Sequence, residues 1–271
     1  YSLLHFYEDC CKAFPELKLY NLDEMEGKEP GQQDKLVGGR TRAEEQQRTI
    51  GALFSVYALC RLDIDGKEVM SFGVDPDRPG KVNGPPTGLE REALKDIPWP
   101  KMSAEQRRAN FYWNFDWELM RNLFVQSGIF SLDATGETVL DTAPEGRLVA
   151  MLSLTAYHDI MKDAYLSPTV STEPYQAYNV GETIHDHDIA LAYLLDRYPH
   201  ILPSFRILTT EQQRLIRFTQ SEMGFNAGWL VQAEGPPSAV LRKLKAAIES
   251  GGAEEADVAF YFVHWVTDLA G

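Results

Sequence analysis

The chain of 271 residues contains only three cysteines, and two of them, Cys10 and Cys11, are adjacent. An odd number of thiols without an even, spaced framework argues against a disulfide-rich secreted scaffold. No Cys-x-x-Cys or Cys/His spacing is found either, which argues against a structural zinc finger. The cysteines therefore predict a protein of a reducing compartment, and we expect it to be intracellular and cytoplasmic.

The sequence also lacks long apolar runs and an excess of basic residues. No stretch approaches the ~20 consecutive apolar residues of a transmembrane helix. With 26 Lys and Arg against 40 Asp and Glu, the formal net charge is −14, which repels nucleic acids and anionic lipid. We therefore expect neither nucleic-acid nor membrane binding. Because the chain begins with Tyr rather than Met, attachment to other domains of a longer chain stays open. A homo-oligomer stays open as well.

The first hundred residues predict a mixed α/β extension. Helices are expected over Ser2–Ala13 and, after the capping box Thr41-Arg-Ala-Glu44, as far as Cys60. Residues 61–72 alternate around Asp65-Gly66, which predicts a β-hairpin. A calcium loop is disfavoured there, because this glycine comes too early for an EF-hand.

A linker is predicted over residues 76–100, which contain six prolines and three glycines, and the pattern of residues 101–271 after it is almost entirely helical. The predicted helices are Ser103–Gln126, a helix opened by Thr142-Ala-Pro-Glu145 that carries His158, Gly181–Tyr198, Thr210–Met223, Ser238–Glu249 and Ala253–Leu269. A small hairpin is expected over Ile129–Asp141, turning at Thr135-Gly136. The predicted fold is therefore mainly α: a helical bundle with small β-hairpins that follows the mixed extension over 1–100.

Histidine and aspartate occur together on three of these helices. The groups are His158-Asp159, His185-Asp186-His187-Asp188, and His264 with Asp268. The first lies at the end of a very apolar helix, where a carboxylate without a partner would be destabilising, so the pair indicates a nearby cation. Imidazole and carboxylate together suit a divalent metal ion, and a helical bundle can deliver such ligands inward from several helices.

Structural interpretations of the same residues stay open. His158-Asp159 could be a core histidine held by a carboxylate, and acidic residues around 185–188 are typical of a helix start. His264 lies among large apolar residues, which favours a buried core histidine over a ligand.

Three motifs resemble those of the HD-domain metal-dependent phosphohydrolases. Tyr157-His-Asp-Ile-Met-Lys162 resembles the HD signature, often written HDxxK. The segment 178–195 is similar to the histidine-bearing helix that follows the HD pair in cyclic-nucleotide phosphodiesterases. Thr267-Asp268-Leu-Ala resembles the late aspartate that closes the metal site. The motifs occur in the family's order, and the resemblance covers roughly residues 104–271.

The resemblance implies an HD-like helical domain over 101–271 that hydrolyses a phosphoester or nucleotide-type substrate with a divalent metal, Mn, Fe, Zn or Mg. His158, Asp159 and Asp268 would bind the metal. Lys162 would approach the phosphate of a small anionic substrate. His185 or His187 would bind a second metal or donate a proton.

One departure from the family pattern keeps alternatives open. The family usually supplies a further metal-binding histidine from the helix before the HD pair, and the predicted helix there has none. It offers instead Asn110, Asn114, Asp116 and Glu118. A carboxylate or amide could substitute, or the second histidine helix could complete the site. The alternatives to the hydrolase are an HD-type di-iron oxygenase and a catalytically degenerate HD-like scaffold or ligand-sensing module of a larger protein.

Overall fold

Helices make up most of the described chain, and this confirms the predicted mainly α fold. The structure is a computed structural model that describes residues 2–22, 36–78, 80–223, 236–251 and 253–271. The α-helices are α1 (Leu3–Ala13), α2 (Arg42–Leu59), α3 (Gly66–Phe72), α4 (Arg91–Leu94), α5 (Ala104–Asn114), α6 (Trp117–Gln126), α7 (Arg147–Tyr157), α8 (His187–Arg197), α9 (Pro203–Arg206), α10 (Thr210–Arg217), α11 (Pro237–Gly251) and α12 (Glu255–Leu269). Short 3-10 helices cover Pro15–Asn21, Trp99–Lys101, Ile160–Lys162 and Ala164–Leu166, and a π-helix covers Phe218–Glu222. Within the described residues, no helix has both the length and the apolar character that crossing a bilayer requires.

A small antiparallel hairpin, β1 (Phe130–Leu132) with β2 (Thr138–Leu140), confirms the hairpin predicted over 129–141. The side chain of Asp133 accepts hydrogen bonds from the backbone N–H groups of Thr135 and Glu137, at 2.8 and 3.0 Å. Gly136 takes the positive φ of 85° that the turn requires. The turn is thus specified by its own residues, which is why the sequence alone predicts it.

The second predicted hairpin, over residues 61–72, is wrong, because this segment is a turn followed by helix α3. The N–H of Gly66 donates to the carbonyl of Arg61 at 2.8 Å, and a Cβ on this glycine would lie 2.1 Å from the carbonyl oxygen of Ala58. The glycine is therefore needed for close approach to the end of α2 rather than for a hairpin turn. The guanidinium of Arg61 also stabilises the turn, since it donates to both carboxylate oxygens of Asp65 at 2.7 and 2.9 Å.

The aromatic helix predicted over Ser103–Gln126 is divided into α5 and α6. Phe115 is extended, with a ψ of 141°, and the carboxylate of Asp116 accepts from the N–H of Leu119 at 2.9 Å. The indole of Trp117 donates to the carbonyl of Tyr112 at 2.9 Å and so satisfies an acceptor at the end of α5. A side-chain cap therefore starts a second helix inside a continuous apolar pattern.

Two further helices begin later than predicted. The helix expected from Gly181 begins at His187, because Asp186 caps it by accepting from the N–H groups of residues 188 and 189 at 3.0 and 3.1 Å. The helix expected from Thr142 begins at Arg147, because the carboxylate of Asp141 accepts from the N–H of residue 143 at 3.0 Å and forms a turn. Helices α1, α2, α11 and α12 lie where the sequence predicts them. The helix predicted over Thr210–Met223 is α-helical only as far as Arg217 and continues as the π-helix Phe218–Glu222.

One hydrophobic core takes side chains from both sides of the predicted boundary at residue 100. Its buried members include Tyr20, Leu53 and Val56 from the first part of the chain and Phe124, Leu154, Tyr157 and Phe260 from the second. Helix α2 packs against both α7 and α12. The division into an extension and a helical domain stays a prediction. The shared core nevertheless brings α2 to the end of α7 where His158 lies.

A buried ion pair also joins α2 to the segment after α7. The guanidinium of Arg42 donates to the two carboxylate oxygens of Asp163 at 2.7 and 3.2 Å, and both side chains are almost wholly inaccessible to solvent. Asp163 additionally accepts from the N–H of Tyr165 at 3.0 Å. Two-point contact of this kind fixes the orientation of both partners.

Replacing Asp163 with Asn should destabilise the protein by about 3 kcal/mol or more, because Arg42 would lose its buried carboxylate. Urea unfolding followed by circular dichroism measures this loss. The exposed pair Asp9–Lys12, whose charged atoms lie 3.4 Å apart, provides the control. Asp9→Asn should change the free energy of unfolding by less than about 1 kcal/mol. Equal effects of the two substitutions would contradict a structural role for the buried pair.

A second buried network joins α7, α10 and α12 through one carboxylate. Asp257, whose side chain is completely buried, accepts from Arg147 at 2.8 Å and from Arg214 at 2.9 Å. Burial by itself would raise the pKa of Asp257, but the hydrogen bond from Arg147, the backbone N–H of Glu254 and Arg214 together hold this pKa below its ordinary value. The ionised form is therefore the one that the fold stabilises.

A carboxyl group whose pKa is lowered by folding stabilises the protein at neutral pH, and this contribution is lost as the pH falls below ~4. Asp257→Asn should therefore lower the melting temperature strongly at about pH 7 and less at about pH 3, because protons then bind the carboxyl group of the unfolded chain more readily than that of the folded protein. Thermal unfolding across this range tests the expectation. A melting-temperature difference that is the same at both pH values would contradict it.

Candidate functional site

Three of the predicted metal ligands lie together at one end of the helical bundle. His158 directly follows α7, Asp159 begins the next turn, and Asp268 lies in the last turn of α12. Nε2 of His158 is 3.0 Å from Oδ1 of Asp268 and 3.3 Å from Oδ2 of Asp159. One ligand atom from each of the three residues lies within 4.8 Å of the others, close enough to hold a single ion.

The backbone fixes which nitrogen of His158 faces this cluster. Nδ1 lies 3.0 Å from the carbonyl oxygen of Thr155. A carbonyl oxygen can only accept, so Nδ1 carries the hydrogen and donates it, and Nε2 is directed at the two carboxylates. A histidine that binds a metal has this arrangement, with the second ring nitrogen held by a backbone carbonyl or a carboxylate.

The charge at the cluster depends on a lysine and on a carboxylate from α2. The ammonium of Lys162 donates to Asp159 at 2.6 Å and to Glu45 at 2.7 Å, and the Glu45 side chain is completely buried. Arg48 also approaches Glu45, at 3.4 Å. One lysine thus pairs with two buried carboxylates. In the described part of the chain, Asp268 forms an ion pair only with the imidazole of His158.

The electrostatics of the cluster favour a positive charge at Nε2 of His158. Burial by itself would lower the pKa of His158, but Asp159 and Asp268 outweigh it and hold the pKa well above its ordinary value. Burial would likewise raise the pKa of Asp159, but His158 and Lys162 hold it well below the ordinary range. Burial would raise the pKa of Asp268 as well, but its hydrogen bond with His158 holds this pKa below its ordinary value. Either a proton or a metal cation at Nε2 can compensate the two carboxylates.

The second histidine group is divided by the structure. The ring of His187, the first residue of α8, has its Nε2 3.9 Å from Oδ1 of Asp159 and 3.7 Å from Oδ1 of Asp188. His185 is exposed and does not border the cavity that contains the cluster. The structure thus brings His187 to the predicted metal ligands and leaves His185 outside them, and the roles of both remain predictions.

His264 is buried beside the cluster rather than within it. Its ring meets that of His158 nearly at a right angle, with 5.1 Å between the ring centres. Burial lowers the pKa of His264 to about 3, and the charge of His158 acts in the same direction, so this imidazole is neutral. In the part of the chain that the structure describes, its Nδ1 is buried without a hydrogen-bond partner.

The cluster forms one wall of a cavity of about 590 Å³, and the π-helix forms another. Thr219 and Ser221 of the π-helix border this cavity, and the hydroxyl groups of both are buried without a hydrogen-bond partner among the described residues. Gln220 donates to Asp188 at 3.0 Å and so connects the π-helix to the start of α8. π-Helical turns are frequent at functional sites, because the extra residue redirects side chains locally.

The polar residues of the predicted upstream helix do not contribute to this site. Asn110 and Asn114 hydrogen-bond to each other at 2.9 Å, and Asp116 caps α6. Glu118 pairs with Arg121 at 3.5 Å. Because none of these side chains borders the cavity, substitution for the missing histidine by this helix has no support in the geometry.

The sequence analysis missed Glu45, Arg48 and the π-helix hydroxyl groups. A signal for Glu45 was available: it shares one helical face with the buried Thr49, Ala52 and Val56, at intervals of three or four residues. A carboxylate in a buried stripe needs a cationic partner. No comparable signal marks Thr219 or Ser221, because the π-helical turn is not predictable from periodicity.

Replacing Lys162 with Met should destabilise the protein by about 3 kcal/mol, because Asp159 and Glu45 would lose their shared cation. The double variant Lys162→Met/Glu45→Gln should recover part of this loss, since one of the two carboxylates is then gone. Lys95→Met removes a lysine from an exposed pair 3.7 Å apart and serves as the control. Urea unfolding measures all three, and a double variant less stable than Lys162→Met would contradict the shared-charge arrangement.

Comparison with known proteins identifies no relative of this chain. No family model, no curated protein and no solved structure matches it. The resemblance to HD-domain enzymes therefore depends on the quoted motifs, and the function of the site has to be inferred from its own geometry.

Proposed function

We propose that this protein is a metal-dependent phosphohydrolase whose site is the cavity beside His158, Asp159 and Asp268. The observation that carries the proposal is the orientation of His158, whose Nδ1 is held by the Thr155 carbonyl while Nε2 faces two carboxylates at 3.0 and 3.3 Å. One imidazole nitrogen and two carboxylates form a donor set for a divalent cation.

The donor set fits a metal ion by charge as well as by chemistry. Lys162 is shared between Asp159 and Glu45, so Asp159 and Asp268 together keep an excess of negative charge at Nε2 of His158. A mixed nitrogen and oxygen site favours Mn, Fe or Zn, whereas Mg prefers oxygen ligands alone. A bound divalent ion would supply a hydroxide nucleophile by lowering the pKa of its water towards ~7.

The remaining residues of the cavity have separate roles in this proposal. Lys162 is a positioning residue, because its ammonium fixes the orientation of the Asp159 carboxylate at 2.6 Å. Arg48 borders the cavity and attracts the phosphate of a small anionic substrate. His187 is partly exposed on the cavity wall and donates a proton to the leaving oxygen. The three free thiols accord with the reducing, cytoplasmic setting that we propose for this activity.

The purified protein should retain about one or two divalent ions per chain and, when loaded with manganese, hydrolyse bis(p-nitrophenyl) phosphate or a related phosphoester. Asp268→Asn should lose metal and reduce kcat/KM by roughly 100-fold or more, because a ligand is removed from the less buried side of the site. Metal content by mass spectrometry and release of p-nitrophenol measure both effects.

His185→Gln is the matched control, since this histidine is exposed and outside the cavity, and it should leave metal content and turnover unchanged. Bound iron with oxygen consumption and no phosphoester turnover would replace the proposal with the di-iron oxygenase. Protein that takes up none of Mn, Fe, Zn or Mg would replace it with the degenerate scaffold.

A further inference from the structure

A second cavity, of about 660 Å³, opens on the opposite part of α7 from the histidine and aspartate cluster. It lies between α1, the end of α2, the β-hairpin, α7 and the segment after α9. Its walls are mainly apolar and include Phe6, Phe14, Tyr57, Phe130, Leu148 and Leu152. None of these residues borders the first cavity.

The size of this cavity is that of a ligand-binding pocket rather than of a packing defect. Voids in protein interiors rarely exceed the volume of a few water molecules, because neighbouring side chains close them. Pockets for small organic molecules have volumes of about 300–1,000 Å³ and are lined mainly by apolar and aromatic side chains. The second cavity has both properties, and its walls come from five separate parts of the fold.

The charged groups at its margin argue against an anionic ligand. Arg61 donates to both oxygens of Asp65, at 2.7 and 2.9 Å, and its guanidinium lies 5.3 Å from the ring centre of Tyr57. Asp63 accepts from Thr138 and lies 3.5 Å from Arg121. Asp9 pairs with Lys12 at 3.4 Å. Among the described residues, each charged group that lines the cavity thus already has a partner of opposite charge, and no cation is left to bind a carboxylate or phosphate headgroup.

The exposed apolar surface around the opening is too small for a protein partner. Ile64 and Ile207 border the cavity and are 73% and 75% exposed. A stable protein interface buries about 800 Å² on each partner, far more than two side chains provide. A concave apolar space with a small apolar rim fits a small molecule better than a second copy of the chain.

We propose that this second cavity binds a small, uncharged apolar molecule, with an aliphatic or ring body and at most a hydroxyl-type polar group. The proposal does not depend on the function of the metal site. The cavity and the site nevertheless share two helices: α2 contributes Tyr57 to the cavity and Glu45 to the site, and α7 contributes Leu152 to the cavity and leads into His158.

Binding of decan-1-ol and of decanoate, which have the same chain length and differ in charge, tests the proposal directly. Isothermal titration calorimetry with the full chain should show decan-1-ol binding at least about tenfold more tightly than decanoate. Leu152→Trp, which places a larger side chain in the cavity, should weaken decan-1-ol binding by about tenfold or more. Leu119→Trp, at an exposed position on α6 away from the cavity, should leave binding unchanged.

Circular dichroism shows whether Leu152→Trp is folded. If it is not, Ala13→Trp decides, because Ala13 is an exposed residue at the end of α1 that borders the opening. The proposal would be overturned if decanoate bound as tightly as decan-1-ol or if neither compound bound. It would also be overturned if decan-1-ol binding were unchanged in the folded cavity variant.

Discussion

The end of the molecule that contains His158 depends on the contacts of Lys162 with two buried carboxylates. Glu45 and Lys162 are 117 residues apart in the chain, and their contact at 2.7 Å brings α2 against the segment after α7. The backbone reinforces it, since the N–H of Val37 donates to the carbonyl of Lys162 at 2.9 Å. Arg42 and Asp163 add a second ion pair next to the first. The orientation of Asp159 therefore depends on residues near the start of the chain.

The same arrangement determines how the buried charges at this end of the molecule are compensated. Buried charges are tolerated only when partners compensate them. Lys162 and Arg48 approach Glu45, whereas the two carboxylates that face His158 also need a proton or a metal cation at its Nε2. His158, Asp159 and Asp268 all border the cavity of about 590 Å³. Nδ1 of His264 and the hydroxyl of Thr219, which have no hydrogen-bond partner within the described ranges, lie beside the same cavity. Buried polar atoms without a partner among the described residues thus occur on the wall of this cavity, as they do elsewhere in the fold.

The sequence predicts those parts of the molecule whose signals are local. The capping box at Thr41 and the turn at Gly136 form bonds within a few residues, and the structure has them. The hairpin prediction at Gly66 failed because the sequence does not distinguish a glycine needed for close packing from one needed for a hairpin turn. At the site, His158, Asp159 and Asp268 were recognisable by motif. The helical spacing of Glu45 indicates that it is buried, but it does not reveal that its partner is Lys162.

Because of the π-helix, deletion of a single residue would change the wall of the cavity. A π-helical turn is an α-helical turn with one residue added, so a single codon separates the two forms. Loss of one residue within Phe218–Glu222 would restore a regular α-helix that continues α10. Each residue beyond the deletion would then turn by about 100° around the helix axis. The side chains that now face the cavity would be replaced by others in one mutational step, so proteins that share this scaffold could change what the cavity accepts without altering the histidine and aspartate cluster.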